Sequence, residues 1–456
     1  MIIMIFSMKT RKPVNPLEGN LFTNMIRFVL PVMGVSLLTT LFSVADTAVI
    51  GRFGHAGAVS AIGATAAVSS LISGSLTAMS AGVTALAGNL FGAKEKEKIH
   101  DLLHVIPLTL GLLSALLACI TLLGTDQIFA WINCPSEIFS DAKLYFTIDF
   151  LSLPFTAVYV FLSSIVQASG DTWHPLVFEL SAAAANVAGN LVFVILFDLN
   201  ILGVAAATYL SRLLACILIL HFLMHRTGDL KLSVKEMKLF KGTKELWKMG
   251  IPSSLDYIAM SMTSVVISAF MNTFSPDVIA GNTIGQSLES MVVICFTGFS
   301  GAGAVFVSQN NGAGNRKRVM ESFLLSMSAA FLLAEGAGIL VYLFRRPLLM
   351  IFTSSEAIME SASLRLFWMC LFFGLCGTMN VIGGCIRGLK DAKSPVYLSI
   401  VCSVFFRLSW LYFIAIPKNS PALAYACFPA AWAMFTLAGI VVFMRDYGKT
   451  AAAVQE

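Results

Sequence analysis

Residues 30–54 read LPVMGVSLLTTLFSVADTAVIGRFG, twenty-five residues with only two charged side chains, Asp46 and Arg52. As a helix this stretch covers about 37 Å at roughly 1.5 Å per residue, enough to cross a hydrocarbon layer about 30 Å thick. Pro31 removes a backbone hydrogen bond near its start, so the helix can bend there. Asp46 lies well inside the apolar run, where a carboxylate costs roughly 2.5–3.5 kcal/mol on insertion scales and therefore needs a reason to be present.

The rest of the chain repeats this character. Of 456 residues, 57% are hydrophobic and 12% charged, and the mean hydropathy is +0.83, which excludes an ordinary soluble domain. Short alternating segments of the kind that build a membrane barrel are absent. The expected fold is an all-α integral membrane protein with twelve spans, at 28–51, 57–90, 102–123, 143–168, 175–196, 202–224, 249–273, 279–309, 319–344, 363–388, 395–416 and 423–444. Met1–Ser7 is apolar but too short for a signal-peptide core, and reads as a disordered tail or as lead-in before a second start at Met8. The nine cysteines are an odd number, and all but Cys134 fall in apolar spans, so they read as small core residues.

Lys and Arg set the orientation. Lys9, Arg11, Lys12, Arg27, the Lys94/Lys96/Lys98 loop, seven residues from Arg226 to Lys248, Arg316–Arg318, Arg387, Lys390, Lys393, Arg445 and Lys449 share the side of the N-terminus. The other side has Arg52, Lys143, Arg345, Arg346, Arg365 and Lys418. The positive-inside rule then predicts both termini in the cytoplasm, and the expected location of this multi-pass protein is the plasma membrane.

The chain also repeats itself. Gly92-Ala93 matches Gly312-Ala313, and Asp171 and Pro175 of QASGDTWHP match Asp391 and Pro395 of RGLKDAKSP at the same offset. Pro31 and Pro252 match at an offset only one position longer. Gly92 and Gly312 are expected to end long helices before basic loops. The implied organisation is a tail (1–27), a six-helix lobe (28–224), a basic linker (225–248), a second six-helix lobe (249–444) and a tail (445–456). With six crossings each, the lobes are expected to be related by a pseudo-two-fold axis along the membrane normal, with substrate between them.

Candidate functional groups are the polar residues inside the spans. The acids are Asp46, Asp149, Glu179, Asp256, Glu289 and Glu335, against two bases, Arg212 and Arg407, and a cavity so lined favours cations. A bend that changes the burial of Asp46 changes its affinity for a proton, so this one residue can couple conformation to an ion. Asn186 and Asn190 share a helical face and can offer carbonyl oxygens to an ion or hydrogen bonds to a neighbouring helix. Asp256 follows Pro252 by one helical turn, while Glu289 and Glu335 read as further cavity residues or structural partners. Asp149 and Glu179 lie nearer helix ends and can snorkel to the interface.

Two histidine pairs, His100/His104 and His221/His225, have i, i+4 spacing, but the sequence places no evident third ligand beside either, and no metal site is expected. GNLFGAK has Ala93 where a phosphate-binding loop needs its second Gly, so no function driven by ATP bound to this chain is expected.

The twelve spans, the matched halves, the Pro31-to-Asp46 spacing, the repeated GDTWHP and RGLKDAKSP turns and GIPSSLD (250–256) together resemble the multidrug and toxic compound extrusion (MATE) family. Nearly the whole chain takes part in the resemblance. It implies an antiporter, not an enzyme, that exports organic cations in exchange for Na⁺ or H⁺, with Asp46 as a coupling acid and no cofactor besides the ion. Members often carry an Asn and a second Asp in the fifth helix. Here either Asn186 and Asn190 or Asn190 and Val194 take those places, and the second acid is missing. Asn380 is the polar group nearest to an acid that some relatives carry in the tenth helix.

Pro31 and Pro252 then read as hinges, and Asp256, Glu289 and Glu335 as substrate-cavity residues. The expected partners are small organic cations and the bilayer, not nucleic acid, and the chain is expected to act as a monomer. The rival readings are a flippase of lipid-linked precursors, which needs several basic cavity residues, and a membrane enzyme, which needs a nucleophile with a base or a metal triad.

Overall fold

The computed structural model describes residues 12–54, 57–132, 134–240 and 243–452; the apolar lead-in Met1–Ser7 and the last four residues lie outside them. Among the described residues there is no strand. The first half contains α1 (Leu21–Phe53), α2 (Ala58–Gly92), α3 (Lys96–Leu123), the short α4 (Thr125–Trp131), α5 (Phe139–Leu151), α6 (Leu153–Ala168), α7 (Trp173–Asn190) and α8 (Asn200–His225). The second contains α9 (Lys244–Met271), α10 (Pro276–Gly312), α11 (Arg316–Leu343), the short α12 (Arg345–Met350), α13 (Glu356–Cys370), α14 (Phe373–Gly388), α15 (Lys393–Leu398), α16 (Phe406–Trp410) and α17 (Pro421–Ala452).

Among the described residues, ten helical stretches are singly long and apolar enough to span a membrane, and α5 with α6 and α13 with α14 form two more, bent by 41° and 46°. Twelve spans result, as the hydropathy predicts. The reason they suit lipid is visible on α3, where Leu112, Leu116, Ile120 and Leu123 recur every three or four residues along one stripe and are 53, 54, 59 and 89% exposed. In water such a stripe would be a liability; in a bilayer it is the face turned to hydrocarbon.

The bends have local causes. Pro154 sits in the first turn of α6, where its ring and missing N–H interrupt the ladder from α5. The corresponding break in the second half falls at Leu371–Phe372 and has no proline. There the Glu335 carboxylate of α11 accepts the freed backbone N–H of Gly374 at 2.8 Å, so the acid replaces a lost helical acceptor. α7 continues as a π-helical turn at Leu191–Leu196, repeated at Leu411–Ala415.

Two compact units emerge. One holds residues 34–83 and 95–247 with the segment ending at Val14, and the other holds 15–33, 84–94 and 248–456. α1 passes from one unit to the other between Met33 and Gly34, just beyond Pro31, and runs as continuous helix through that proline. Compactness thus groups residues differently from sequence repetition, because the start of α1 and the end of α2 pack in the second unit.

A glycine pair explains part of that packing. A Cβ on Gly92 would fall on the carbonyl oxygen of Gln309, and a Cβ on Gly312 would fall on that of Asn89. Asn89 and Gln309 are themselves matched by the repeat, so the ends of α2 and α10 cross by reciprocal contacts. Asn89 Nδ2 also donates to the Gly388 carbonyl at 2.8 Å, and Asn311 Nδ2 donates to Asn89 Oδ1 at 2.8 Å. Both glycines are the last residue of their helices, but the left-handed turns follow at Lys94 (φ 56°) and Gly314 (φ 71°). The two long helices thus stop at these glycines before basic loops, as the sequence suggests, and close backbone approach is a second reason for glycine at 92 and 312.

Candidate functional site

Within the first unit the helices enclose a cavity of about 290 Å³. α1 contributes Asp46, α2 a serine face of Ser69, Ser70 and Ser73, α5 Tyr145 and Asp149, α6 Tyr159, α7 Glu179 and Asn186, and α8 Thr208 and Arg212. Three carboxylates therefore face one guanidinium. The serines follow one another at helical spacing on an otherwise apolar helix, which is how a span presents polar groups to a cavity instead of to lipid.

Asp46 joins the two asparagines that share its expected role. Asn190 Nδ2 donates to Asp46 Oδ1 and, more weakly, to Asn186 Oδ1 at 3.4 Å, and Asn186 Nδ2 donates to Thr208 Oγ1 at 3.3 Å. Asn190 is fully buried, and its Oδ1 has no hydrogen-bond partner. Chemically, a buried amide oxygen beside a carboxylate can accept a cation or a proton donor. Val194, the other position open in the sequence, is packed instead with Ile50, Ala58 and Val204.

Two acids are placed differently from the sequence reading. Asp149 and Glu179 do not snorkel; they line the cavity. Asp149 Oδ2 accepts from Ser69 Oγ at 2.8 Å, and Glu179 is buried. Asp149 lies just before the 41° break between α5 and α6 and Glu179 lies in the unbroken α7; which side of a span faces a cavity is a tertiary effect that distance along a helix does not reveal. Their presence among the intramembrane acids was the available signal.

The acids of the second unit have other partners. Arg365, assigned by sequence to a loop side, is buried and grips Glu289 through two bonds of 2.7 Å each, and its Nη1 donates to Asn282 Oδ1 at 2.6 Å. Tyr425 donates to the same Asn282 oxygen at 3.1 Å. Glu289 is thus one corner of a closed network. Glu335 caps the broken α14, as described above. Asp256 has a looser partner in Arg387 at 3.8 Å, and its Oδ1 is buried without a hydrogen bond. Asn380 Nδ2 donates to the Cys376 carbonyl within its own helix at 2.9 Å.

Twelve apolar spans in repeated halves, with an acid-lined cavity inside the membrane region and an unpaired acceptor beside Asp46, define a polytopic membrane transporter. The pattern of the MatE family matches residues 31–192 and again 252–413, once in each half. The chain belongs to that family. It is 26% identical to the probable multidrug resistance protein NorM of Thermotoga maritima, over 83% of this chain and 82% of that one. It is also 26% identical to the multidrug export protein MepA of Staphylococcus aureus, over 76% and 77%. Among solved structures, an outward-facing conformation of a multidrug resistance MATE family transporter of the MOP superfamily superposes with TM-score 0.85 at 18% identity, covering 98% of this chain and all of that one. A structure of MATE in the bent conformation gives 0.87 at 17% identity, covering 98% and 99%. At those identities the structural likeness is one of fold.

Proposed function

We propose that this chain is a secondary antiporter of the plasma membrane, both termini cytoplasmic, that exports organic cations or cationic drugs in exchange for Na⁺ or H⁺. The observation that carries the reading is the Asp46–Asn190 contact at a cavity shared with Asp149 and Glu179. The ion occupies Asp46 and the unpaired Asn190 oxygen. The substrate is a cation attracted by the remaining carboxylates, with Tyr145, Phe150 and Tyr159 supplying aromatic faces. Exchange requires that ion and substrate favour different conformations, since equal affinity for both shifts nothing. Pro31, close to the residue where α1 changes unit, and Pro252 within α9 are the hinges of that change. Asp256, with its unpaired oxygen, is the acid of the second unit best placed to join the substrate path.

A flippase of pyrophosphate-linked lipids is disfavoured by the same cavity, where Arg212 faces three carboxylates and a multiply charged anion would be repelled. The test is efflux of a fluorescent cation from vesicles under separately imposed sodium and proton gradients. Efflux driven by one of the gradients in wild type, and lost in Asp46→Asn, supports the proposal; efflux that requires ATP and ignores both gradients overturns it.

A further inference from the structure

The histidine pair at the start of α3 acquires in three dimensions the ligand it lacks in sequence. His100 and His104 stack with ring centroids 3.9 Å apart. Glu236, in the short turn Val234–Glu236 of the lobe linker, places Oε2 at 3.0 Å from His100 Nε2 and 3.6 Å from His104 Nε2. The three ligand atoms lie within 4.8 Å of one another. A tetrahedral ion with bonds of about 2.0–2.1 Å holds its ligand atoms about 3.3–3.5 Å apart, so these side chains need only small adjustments.

The hydrogen bonds also fix the chemical form of the buried imidazole. The Ser233 backbone N–H donates to His104 Nε2 at 2.9 Å, so that nitrogen carries a lone pair. The proton then sits on Nδ1, which is 2.7 Å from the His100 carbonyl. A neutral imidazole whose other nitrogen donates to a carbonyl is the arrangement that orients metal-ligating histidines. Ser233 is only partly buried, so its N–H can turn to water when an ion takes the lone pair. An open hollow of about 470 Å³ beside His100, lined also by Lys96, Asp101 and Asp229, admits a hydrated ion. The neighbouring lysines are already matched, Lys96 with Asp229 at 3.2 Å and Lys238 with Asp101.

We propose that His100, His104 and Glu236 bind one divalent transition-metal ion, with a water as fourth ligand, and that this ion staples the lobe linker to α3. Two imidazoles and one carboxylate suit Zn²⁺. The linker already touches α3 through the Lys238 N–H on the His104 carbonyl at 3.1 Å and the Phe240 N–H on Thr109 Oγ1 at 3.0 Å. The ion adds a bond at the exposed turn between those contacts and the end of α8.

The test uses purified full-length protein without a histidine tag. Zn²⁺ affinity is read by competition with a chromophoric chelator, and coordination by the visible absorption of Co²⁺. Wild type is expected to take up one ion per chain, with a four- or five-coordinate cobalt spectrum. The side chains of His100 and Glu236 are 41% and 54% exposed, so His100→Ala and Glu236→Gln leave the fold intact. Each is expected to weaken binding by about tenfold or more. Zn²⁺ is also expected to slow tryptic cleavage at Lys231 and Lys235 in wild type but not in Glu236→Gln. Absence of binding, or equal binding by wild type and both variants, overturns the site; binding without protection of the linker overturns the staple.

Discussion

Arg226 donates from Nη1 to Oδ2 of Asp171 at 3.0 Å, and the matching Asp391 of the second half is held in the same way by Arg445, one residue short of the repeat offset, at 3.1 Å. Each aspartate follows a residue in the left-handed region, Gly170 at φ 94° and Lys390 at φ 69°. Each also accepts the backbone N–H three residues on, from His174 at 3.3 Å and Ser394 at 3.0 Å. The repeated Asp-x-x-x-Pro of the sequence is therefore a helix-start device that also binds the arginine near the far end of the next span, at the end of α8 or within α17. In both halves one carboxylate closes a turn and fastens a helix pair.

Asp171→Asn is expected to lower stability by about 2–3 kcal/mol at neutral pH, somewhat below the roughly 3–5 kcal/mol of a fully buried broken pair, because the Arg226 side chain is 23% exposed. Burial alone would raise the Asp171 carboxyl, but His174 and Arg226 outweigh it and hold the group below its ordinary 3.8. Its contribution is thus fully present above pH 3.8 and is lost as pH falls through the lower folded value. Thermal unfolding of wild type and variant in detergent should differ at pH 7 and converge in acid.

Asn190→Ala removes the amide that donates to Asp46 and the unpaired oxygen beside it. A hydrogen bond to a charged group contributes about 1.5–3 kcal/mol, so under the proposed antiport the apparent affinity for the coupling ion is expected to fall at least about tenfold. Initial efflux rates measured against ion concentration in vesicles will show a rightward shift. An unchanged half-saturation would contradict ion binding at this pair.

Under the proposed function, charge in the cavity sets the preference among substrates. At an effective dielectric of about 20 and a separation of roughly 10 Å, one unit charge is equivalent to about 1.7 kcal/mol. Arg212→Gln should therefore tighten binding of a monovalent fluorescent cation by about tenfold, and Asp149→Asn should weaken it by a similar factor. Fluorescence anisotropy on the purified variants measures both, and the opposite signs are the diagnostic feature.

Glu289→Gln leaves Arg365 buried without its counter-ion and is expected to cost about 3–5 kcal/mol, whereas replacing both by methionine should cost far less. Unfolding of the four members of that cycle gives the coupling energy. A closed structural network also predicts that the folded double variant keeps the ion-coupled efflux proposed for wild type.

Gly92→Ala and Gly312→Ala should each destabilise by about 1–3 kcal/mol, since the atom that the new methyl would strike is a backbone carbonyl oxygen, which cannot swing aside as a side chain can. Thermal stability in detergent checks this, with the open Gly336 as the control site.

Much of the architecture was legible because lipid imposes simple rules. Backbone groups must be paired within each span, so length and hydropathy locate the helices, and the recurrence of glycine, aspartate and proline landmarks divides them into halves. Asp46, Asn186 and Asn190 were legible for a related reason, as a polar group in an apolar run is conspicuous. Asp149 and Glu179 were harder, because depth along a helix does not say which side of the span faces a cavity. Glu289 and Glu335 were visible as acids, but their partners are remote in sequence: Arg365 lies 76 residues from Glu289 and Gly374 lies 39 from Glu335.

The sequence by itself determined that this is a twelve-span membrane protein of two repeated halves with a carboxylate in its first helix, because burial in hydrocarbon is a property of local composition and period. Only the tertiary structure decided which polar groups meet. It turned Asp149, Glu179 and Arg212 toward the cavity at Asp46, gave Glu289 to Arg365, and brought Glu236 to a histidine pair whose nearer member in space, His100, is 136 residues away in sequence. Hydrogen bonds and ion pairs act over about 3 Å, and which side chains come that close depends on helix bends and crossings that no local pattern encodes.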